Sequence, residues 1–157
     1  MVYGMNSRLP NSPGPASIKG LWDLWDRFDI ASAMMIGYWS PIPAVTLVGS
    51  VNTSALKATA YVHAGNTTLV AIASWSLLNE TFQLSLNATV TGLGEEEPQG
   101  STASPASRNI VVCAPPVIGH QGASGPWNIS QRFTVPPQSG IFLLITENKS
   151  VCNDFQS

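Results

Sequence analysis

The chain has 157 residues, of which 44% are hydrophobic and only 10% are charged, and its formal net charge is −2. This length and apolar content suffice for one domain with its own core, and they exclude an intrinsically disordered chain. The composition lacks the basic character of a nucleic-acid-binding protein, and no apolar run reaches the roughly 20 residues that a membrane-spanning helix needs.

The N-terminal part of the chain is predicted to be a lead-in followed by a helix. Residues 1–16 contain the segment NSPGP and little hydrophobic periodicity, so we expect an extended lead-in or linker there. Residues 17–33 are predicted to be helical, because apolar residues recur at helical spacing from Ile18 onward. The helix carries three aspartates at i, i+3 and i+6, for which we favour a solvated helix face over a catalytic pair, because glycoside hydrolysis needs carboxylates that converge across a cleft. These aspartates are Asp23, Asp26 and Asp29.

The remainder of the chain changes from helical spacing to short apolar or alternating runs separated by proline and glycine turns. We predict strands at residues 34–39, 55–63, 67–76, 80–90, 109–119, 127–135 and 141–147. The fold class is therefore mainly β, an antiparallel β-sandwich over residues 34–150 that is preceded by one short N-terminal helix. Residues 151–157 are predicted to be a tail.

Neither a metal site nor a cofactor site is expected. Cys113 and Cys152 either pair in an oxidising compartment, which would add roughly 3–4 kcal/mol of stability, or remain unpaired thiols. They are too far apart in sequence to have metal-ligand spacing, and His63 and His120 belong to different segments. The sequence also has no glycine-rich phosphate loop and no nucleophile motif.

Six Asn-x-Ser/Thr tripeptides without a central proline make glycosylation the favoured interpretation, although a composition rich in Ser, Thr and Asn also raises their number. They begin at Asn52, Asn66, Asn79, Asn87, Asn128 and Asn148. Glycosylation requires entry into the secretory pathway, yet residues 1–15 have no signal-peptide pattern. We therefore expect a secreted or extracellular protein whose signal peptide lies upstream of this chain, so that the chain is part of a longer protein.

Five tryptophans raise the possibility of a sugar-binding surface, since indole rings stack on sugars when they are exposed. Trp127 follows the loop-like segment GASGP and is the best candidate for an exposed ring, and Trp39 is a second candidate. Trp22 and Trp25 lie on the apolar helix stripe, and Trp75 ends an apolar strand, so we expect these three in a core or an interface.

Four segments in order resemble the C-terminal end of proteins related to glycoside hydrolase family 123. They are LWDLWDRFDIASAMMIGYWSPIP, LKATAYVHAGNTTLVAIASWS, APPVIGHQ and VPPQSGIFLLI. With the lead-in YGMNSRLP, which is similar too, the resemblance extends over most of the chain. The resemblance implies a parent protein in which a (β/α)-barrel performs β-N-acetylgalactosaminidase-like catalysis and a C-terminal β-sandwich follows. Such enzymes use a neighbouring Asp-Glu pair, which this sequence lacks, so we assign it no catalytic residue. The six tripeptides and the acidic run at residues 95–97 are not part of the family pattern.

The resemblance also implies that the helix joins the sandwich to the upstream barrel. Its apolar side chains are then expected to form a domain-docking surface that consists of Leu21, Trp22, Trp25 and Phe28. The leading hypothesis is a non-catalytic accessory domain that braces this barrel, within a parent that is itself a glycoside hydrolase. Two alternatives stay open: a stand-alone carbohydrate-binding module that uses Trp127 and Trp39, and a glycosylated extracellular interaction domain without a glycan ligand.

Overall fold

The computed structural model describes residues 18–49, 54–94 and 110–156, and in these ranges it confirms a mainly β, antiparallel sandwich after a short N-terminal helix. The lead-in at residues 1–16, the tripeptide beginning at Asn52 and the acidic run at residues 95–97 lie outside the described residues. The helices of the described part are α1 (Ile18–Phe28), α2 (Ala88–Thr91) and α3 (Lys149–Gln156). Its strands are β1 (Met34–Ile36), β2 (Val45–Val48), β3 (Leu56–His63), β4 (Thr67–Ser74), β5 (Glu80–Leu86), β6 (Val111–Ala114), β7 (Ser124–Asn128), β8 (Arg132–Val135) and β9 (Gly140–Thr146).

The strands form two antiparallel sheets. The larger has six strands in the order β1-β3-β4-β9-β6-β7, and the smaller has three in the order β2-β5-β8. Both sheets contribute to one core, in which Val70 and Ile72 of the large sheet lie in the same cluster as Phe82 and Phe133 of the small sheet. The alternation in β5 is as the sequence predicts, since Phe82 and Leu84 are buried while Thr81 and Ser85 are exposed.

A layer of helices covers the opposite face of the large sheet. The side chains of β4 alternate between the two faces, so Leu69 and Ala71 pack under α1 and α3 while Val70 and Ile72 enter the sandwich core. This explains why the β4 sequence is almost continuously apolar, because both of its faces are buried. Arg27 of α1 donates to the backbone carbonyl of Asp154 in α3, which ties the two helices together.

The structure differs from the sequence prediction in several elements. The strand predicted at residues 80–90 ends at Leu86, and helix α2 follows it. The run at residues 127–135 is not one strand but the two strands β7 and β8, which belong to different sheets. The chain turns between them because the backbone N–H of Ser130 and that of Gln131 donate to the side-chain and backbone oxygens of Asn128, respectively. Strand β2 was not predicted, and helix α3 occupies most of the predicted tail. No helix in the described part of the chain is long and apolar enough to cross a membrane.

The two ends of the large sheet are useful landmarks for the site. We call the end that carries the β3–β4 turn, residues 64–66, the hairpin end. His63 pairs with Thr67 there, and Thr67 pairs with Thr146. At the other end, which we call the open end, Leu56 pairs with Ser74.

Candidate functional site

Helix α1 packs into its own domain. Leu21 and Phe28 are each only 4% exposed and, with Leu24, they join the cluster under the large sheet. The His63 ring lies 4.8 Å from the Phe28 ring, and its Nε2 is 3.0 Å from the Phe28 carbonyl oxygen. This position changes the predicted domain-docking set, because Leu21 and Phe28 are used inside the domain and are not available to another one.

The two tryptophans of α1 have different environments. Trp25 is partly buried against the same cluster as Phe28, and within the described residues its buried indole Nε1 has no hydrogen-bond partner. Trp22 is 56% exposed. Of the four residues predicted to dock, Trp22 is therefore the one whose ring is mainly in solvent.

The segment after α1 exposes large apolar side chains instead of burying them. Strand β1 pairs only with β3, which makes it an edge strand, and both Met34 and Met35 are exposed. The chain then turns at Gly37, where a Cβ atom would lie 2.5 Å from the ring of Trp39. Trp39 therefore folds back over Gly37, and its ring meets that of Tyr38 edge-on at a centroid distance of 5.0 Å.

Tyr38, Trp39 and Trp75 form what we call the aromatic surface, at the open end. The Nζ atom of Lys57 lies 5.8 Å from the centre of the Tyr38 ring. In the pairing of β3 with β4, Lys57 is opposite Ala73. The backbone N–H of Trp75 donates to the carbonyl of Ala55 at 2.9 Å, so the register of these two strands continues to Trp75. Trp75 is consequently on the same face of the sheet as Lys57, since side chains two residues apart share a face.

All three rings of the aromatic surface are substantially exposed: Trp39 by 59%, Trp75 by 50% and Tyr38 by 46%. The exposure of Trp75 differs from the predicted core position. The physical reason is that β4 ends at Ser74, just before this residue, so Trp75 extends beyond the part of the sheet that the helices cover. The sequence gives no signal for this exposure, since Leu77 and Leu78, which follow, are also apolar and are nevertheless exposed.

Trp127 is not the exposed ring that its sequence context suggested. Its ring contacts Phe133 edge-on at a centroid distance of 5.5 Å, and it packs against the sandwich core. Side chains alternate between the two faces along β7, and this alternation places the indole over β8. Most of the preceding GASGP segment is exposed. Trp39 remains the stronger of the two predicted sugar-stacking residues.

Two of the three aspartates, Asp23 and Asp26, are on α1, and Asp29 follows the end of the helix with a φ of 53°. Lys19 forms an ion pair with Asp23 at 2.7 Å, and Asp26 and Asp29 are exposed. Asp29 also accepts a hydrogen bond from the Ser32 hydroxyl. Asp23 and Asp26 share one helix and Asp29 lies in the turn that follows, so the three carboxylates are not on opposite walls of a cleft.

An open groove of about 670 Å³ lies on the small sheet and is lined by residues from all three of its strands. Its described lining combines the polar side chains of Asn79, Gln83 and Arg132 with the apolar side chains of Val48 and Leu78. The aromatic residue in this lining, Phe82, is only 1% exposed, so its ring is not available for stacking on a sugar. The groove therefore lacks the feature that most favours carbohydrate binding by a β-sandwich.

A disulfide joins Cys113 of β6 to Cys152 of α3, and both residues are fully buried. The bond attaches the C-terminal helix to the face of the large sheet that α1 also covers. Within the described ranges, no group of three or more His, Cys, Asp or Glu side chains could hold a metal ion. Burial raises the pKa of Tyr61, which lies under the helices, above its ordinary value of 10.0.

Comparison with protein families gives one match and places it over most of the chain. The model of the glycoside hydrolase 123 C-terminal domain matches residues 17–146. No curated protein and no solved structure matches the chain.

Proposed function

The chain belongs to the glycoside hydrolase 123 family, whose C-terminal domain it contains, and from this premise we propose that it is a non-catalytic accessory domain. Its proposed role is to brace the catalytic part of the parent protein, which precedes it in the family's domain order. The contact is made by the aromatic surface, Tyr38, Trp39 and Trp75. The parent is proposed to be a secreted glycoside hydrolase.

The exposure of these three rings is the observation that supports the proposal most strongly. Several large apolar side chains that are exposed at the same end of a sheet favour a contact with another protein surface. Tryptophan and tyrosine are also the side chains that contribute most binding energy in protein interfaces. Only 10% of the residues are charged, and two indoles and a phenol exposed at one end of a sheet do not make such a domain more soluble.

The upstream part of the parent is the partner that best fits the position of this surface. The family match begins at residue 17, so the parent's catalytic part connects to the domain through the N-terminal end of α1. Gly20 in the first turn of α1 lies against Ile118, in the segment where Gln121 hydrogen-bonds to Phe142. The other end of the helix, Phe28, is at the hairpin end beside His63. The catalytic part therefore joins α1 at the helix end that is farther from the hairpin end. The aromatic surface also lies away from the hairpin end, at the open end of the sheet.

The arrangement of the carboxylates supports a role without catalysis for this chain. Most glycoside hydrolases use two carboxyl groups about 5–10 Å apart on opposite sides of the bond. The neighbouring Asp-Glu pair expected for this family is absent from the sequence. Asp23 and Asp26 are on helix α1, where Asp23 is paired with Lys19, and Asp29 lies in the turn after the helix. These three carboxylates do not share a cleft. They also lack the different surroundings that would make one of them an acid and another a base.

Secretion is proposed from the cysteines and the tripeptides together. Disulfides persist in oxidising compartments, and here the bond between Cys113 and Cys152 is built into the core of the helical layer. The tripeptides at Asn66, Asn79, Asn128 and Asn148 have exposed asparagines, as glycosylation requires.

Scanning calorimetry of the full-length parent tests the bracing role. In the unaltered parent we expect the catalytic part and this domain to unfold in one transition, because the interface couples them. The double variant Trp39→Ala/Trp75→Ala should split this transition into two. Val48→Ala is the control, because Val48 is 51% exposed but belongs to the small sheet. A single transition in the double variant would contradict the proposal.

Carbohydrate binding is the second candidate function, and the exposed ring of Trp39 is the observation that favours it. The edge-on contact between Tyr38 and Trp39, with their planes 85° apart, does not form the flat platform on which a sugar chain stacks best. Titration of the chain with N-acetylgalactosamine oligosaccharides discriminates the two functions. Binding that is lost in Trp39→Ala would favour the carbohydrate-binding module, and absence of binding agrees with the accessory role.

A further inference from the structure

The hairpin end of the sandwich brings three of the Asn-x-Ser/Thr tripeptides into one row. Thr67, Thr146 and Val111 pair laterally across β4, β9 and β6, and Val111 pairs with Asn128 of β7. The Thr146 hydroxyl donates to the carbonyl of Asn66 at 3.2 Å and accepts from the backbone N–H of Asn148 at 3.1 Å. Since neighbouring strands are about 4.8 Å apart, Asn128 is about 10 Å along the row from Thr146.

Two of these tripeptides have the same local hydrogen bonds. At Asn128, the side-chain oxygen Oδ1 accepts from the backbone N–H of Ser130 at 2.9 Å and from its hydroxyl at 2.8 Å. At Asn148, Oδ1 accepts from the backbone N–H of Ser150 at 3.0 Å and from its hydroxyl at 2.8 Å. An N-linked glycan keeps Oδ1 and replaces one hydrogen on Nδ2, so the modification leaves these bonds in place.

We propose that the hairpin end carries N-linked oligosaccharides at Asn66, Asn128 and Asn148. All three asparagines are exposed, and Asn66 lies in the β3–β4 turn. The proposal rests on the secretory location proposed above, but it does not depend on the docking role of the aromatic surface.

The modification is a group transfer from a lipid-linked oligosaccharide diphosphate. The Nδ2 atom of asparagine forms a bond to the anomeric carbon of the first sugar, and the bond from that carbon to the diphosphate oxygen breaks. The lipid diphosphate leaves with the electron pair, and one proton from Nδ2 passes to a base of the transferase. The amide oxygen takes no part in the exchange and remains an acceptor in the folded domain.

The other two described tripeptides differ from these three. Asn87 is at the same end, but it is partly buried, and its carbonyl accepts hydrogen bonds from the backbone N–H and the hydroxyl of Thr91 in α2. Helix α2 is held against the turn, since the N–H of Gly65 donates to the carbonyl of Thr91 at 2.9 Å. Asn79 is exposed but lies away from this row, where it lines the groove at the small sheet. The glycans proposed here therefore leave the aromatic surface at the open end uncovered.

Glycopeptide mapping of the full-length parent, purified from its own cells, tests the proposal. The protein is digested before and after treatment with an amidase that converts a glycan-bearing asparagine to aspartate. We expect this conversion at Asn66, Asn128 and Asn148 in most molecules, and at Asn87 in fewer. Unmodified asparagine at all three positions would overturn the proposal, and it would leave the calorimetric test of the docking role unaffected.

Matched variants separate glycosylation from a purely structural role of the serines. In the full-length parent expressed in a eukaryotic secretory host, Ser130→Thr keeps the hydroxyl and should retain the glycan at Asn128, whereas Ser130→Ala should lose it. Asn128→Gln should likewise remove one glycan from the intact mass. Material retained in the cell is analysed by the same digestion, so a folding defect does not hide the result. A glycan at Asn128 that persists in Ser130→Ala, or a mass unchanged by Asn128→Gln, would contradict the assignment.

Discussion

Helix α1 and the edge segment at residues 34–42 follow each other in sequence and are both rich in apolar residues, yet they have opposite environments. Leu24 and Phe28 of α1 are buried, at 2% and 4% exposure, whereas Met34, Trp39 and Ile42 are 53–62% exposed. The buried apolar side chains of α1 lie along one stripe of the helix, and the large sheet covers this stripe. The edge segment has a strand partner on one side only, so its large apolar side chains stay exposed. Apolar content alone therefore does not show whether a segment is buried in the core.

The largest expected effect is the loss of a core side chain from α1. Phe28→Ala should lower the free energy of unfolding by about 3–5 kcal/mol, because it leaves a cavity between the helix and the sheet. Trp22→Ala, on the exposed side of the same helix, is the matched control and should change it by less than about 0.5 kcal/mol. Urea denaturation measures both. Equal losses would mean that the helix does not pack as described.

Removal of the disulfide is expected to have the next largest effect. The double variant Cys113→Ala/Cys152→Ala should lose roughly 3–4 kcal/mol, because a loop closed by about 40 residues restricts the unfolded chain. The reduced wild-type protein, measured under the same conditions, provides the comparison. An unchanged denaturation midpoint in both samples would show that α3 is held to the sheet by packing alone.

A smaller effect is expected at Gly37, which positions the edge segment. A methyl group there would lie against the Trp39 ring, so Gly37→Ala should displace the indole while it lowers stability by about 1 kcal/mol or less. Tryptophan fluorescence of this variant, compared with that of Trp39→Ala as the reference lacking the ring, reports the displacement. Emission identical to that of the wild type would contradict the proposed packing of Trp39 over Gly37.

The smallest effect concerns the pH dependence of the helical layer. Burial raises the pKa of Tyr61 above 10.0, so the folded protein keeps this proton at a pH where the unfolded chain loses it. The contribution of Tyr61 is therefore complete below about pH 10 and is lost as the pH rises further. Tyr61→Phe should make stability less sensitive to pH between about 9 and 11. Parallel curves for Tyr61→Phe and the wild type would contradict this.

The architecture was largely predictable from the sequence, because it depends on periodicity. The helical spacing before Phe28, the hairpin around Gly65 and the alternation in β5 each appear as predicted. The division of residues 127–135 between two sheets was not predictable in this way, since Trp127, Phe133 and Val135 enter the same core from both sheets and preserve the alternation across the turn.

The candidate site was less predictable, because exposure depends on where a neighbouring element stops. Trp39 was a predicted surface residue, but Trp75 reads as the end of a buried strand until the extent of the helical layer is known. Trp127 shows the reverse case, since its loop-like sequence context hides the contact with Phe133. Sequence patterns specify which face a side chain is on, whereas the length of the covering layer is a property of the assembled fold.

Hydrogen–deuterium exchange on the isolated chain and on the full-length parent tests the docking claim most directly. Docking through the aromatic surface should slow exchange in the parent at the amides of residues 37–42 and around Trp75, while exchange at the hairpin turn, residues 64–66, should be the same in both proteins. Slower exchange at the hairpin turn with no change around Trp39 and Trp75 would contradict it.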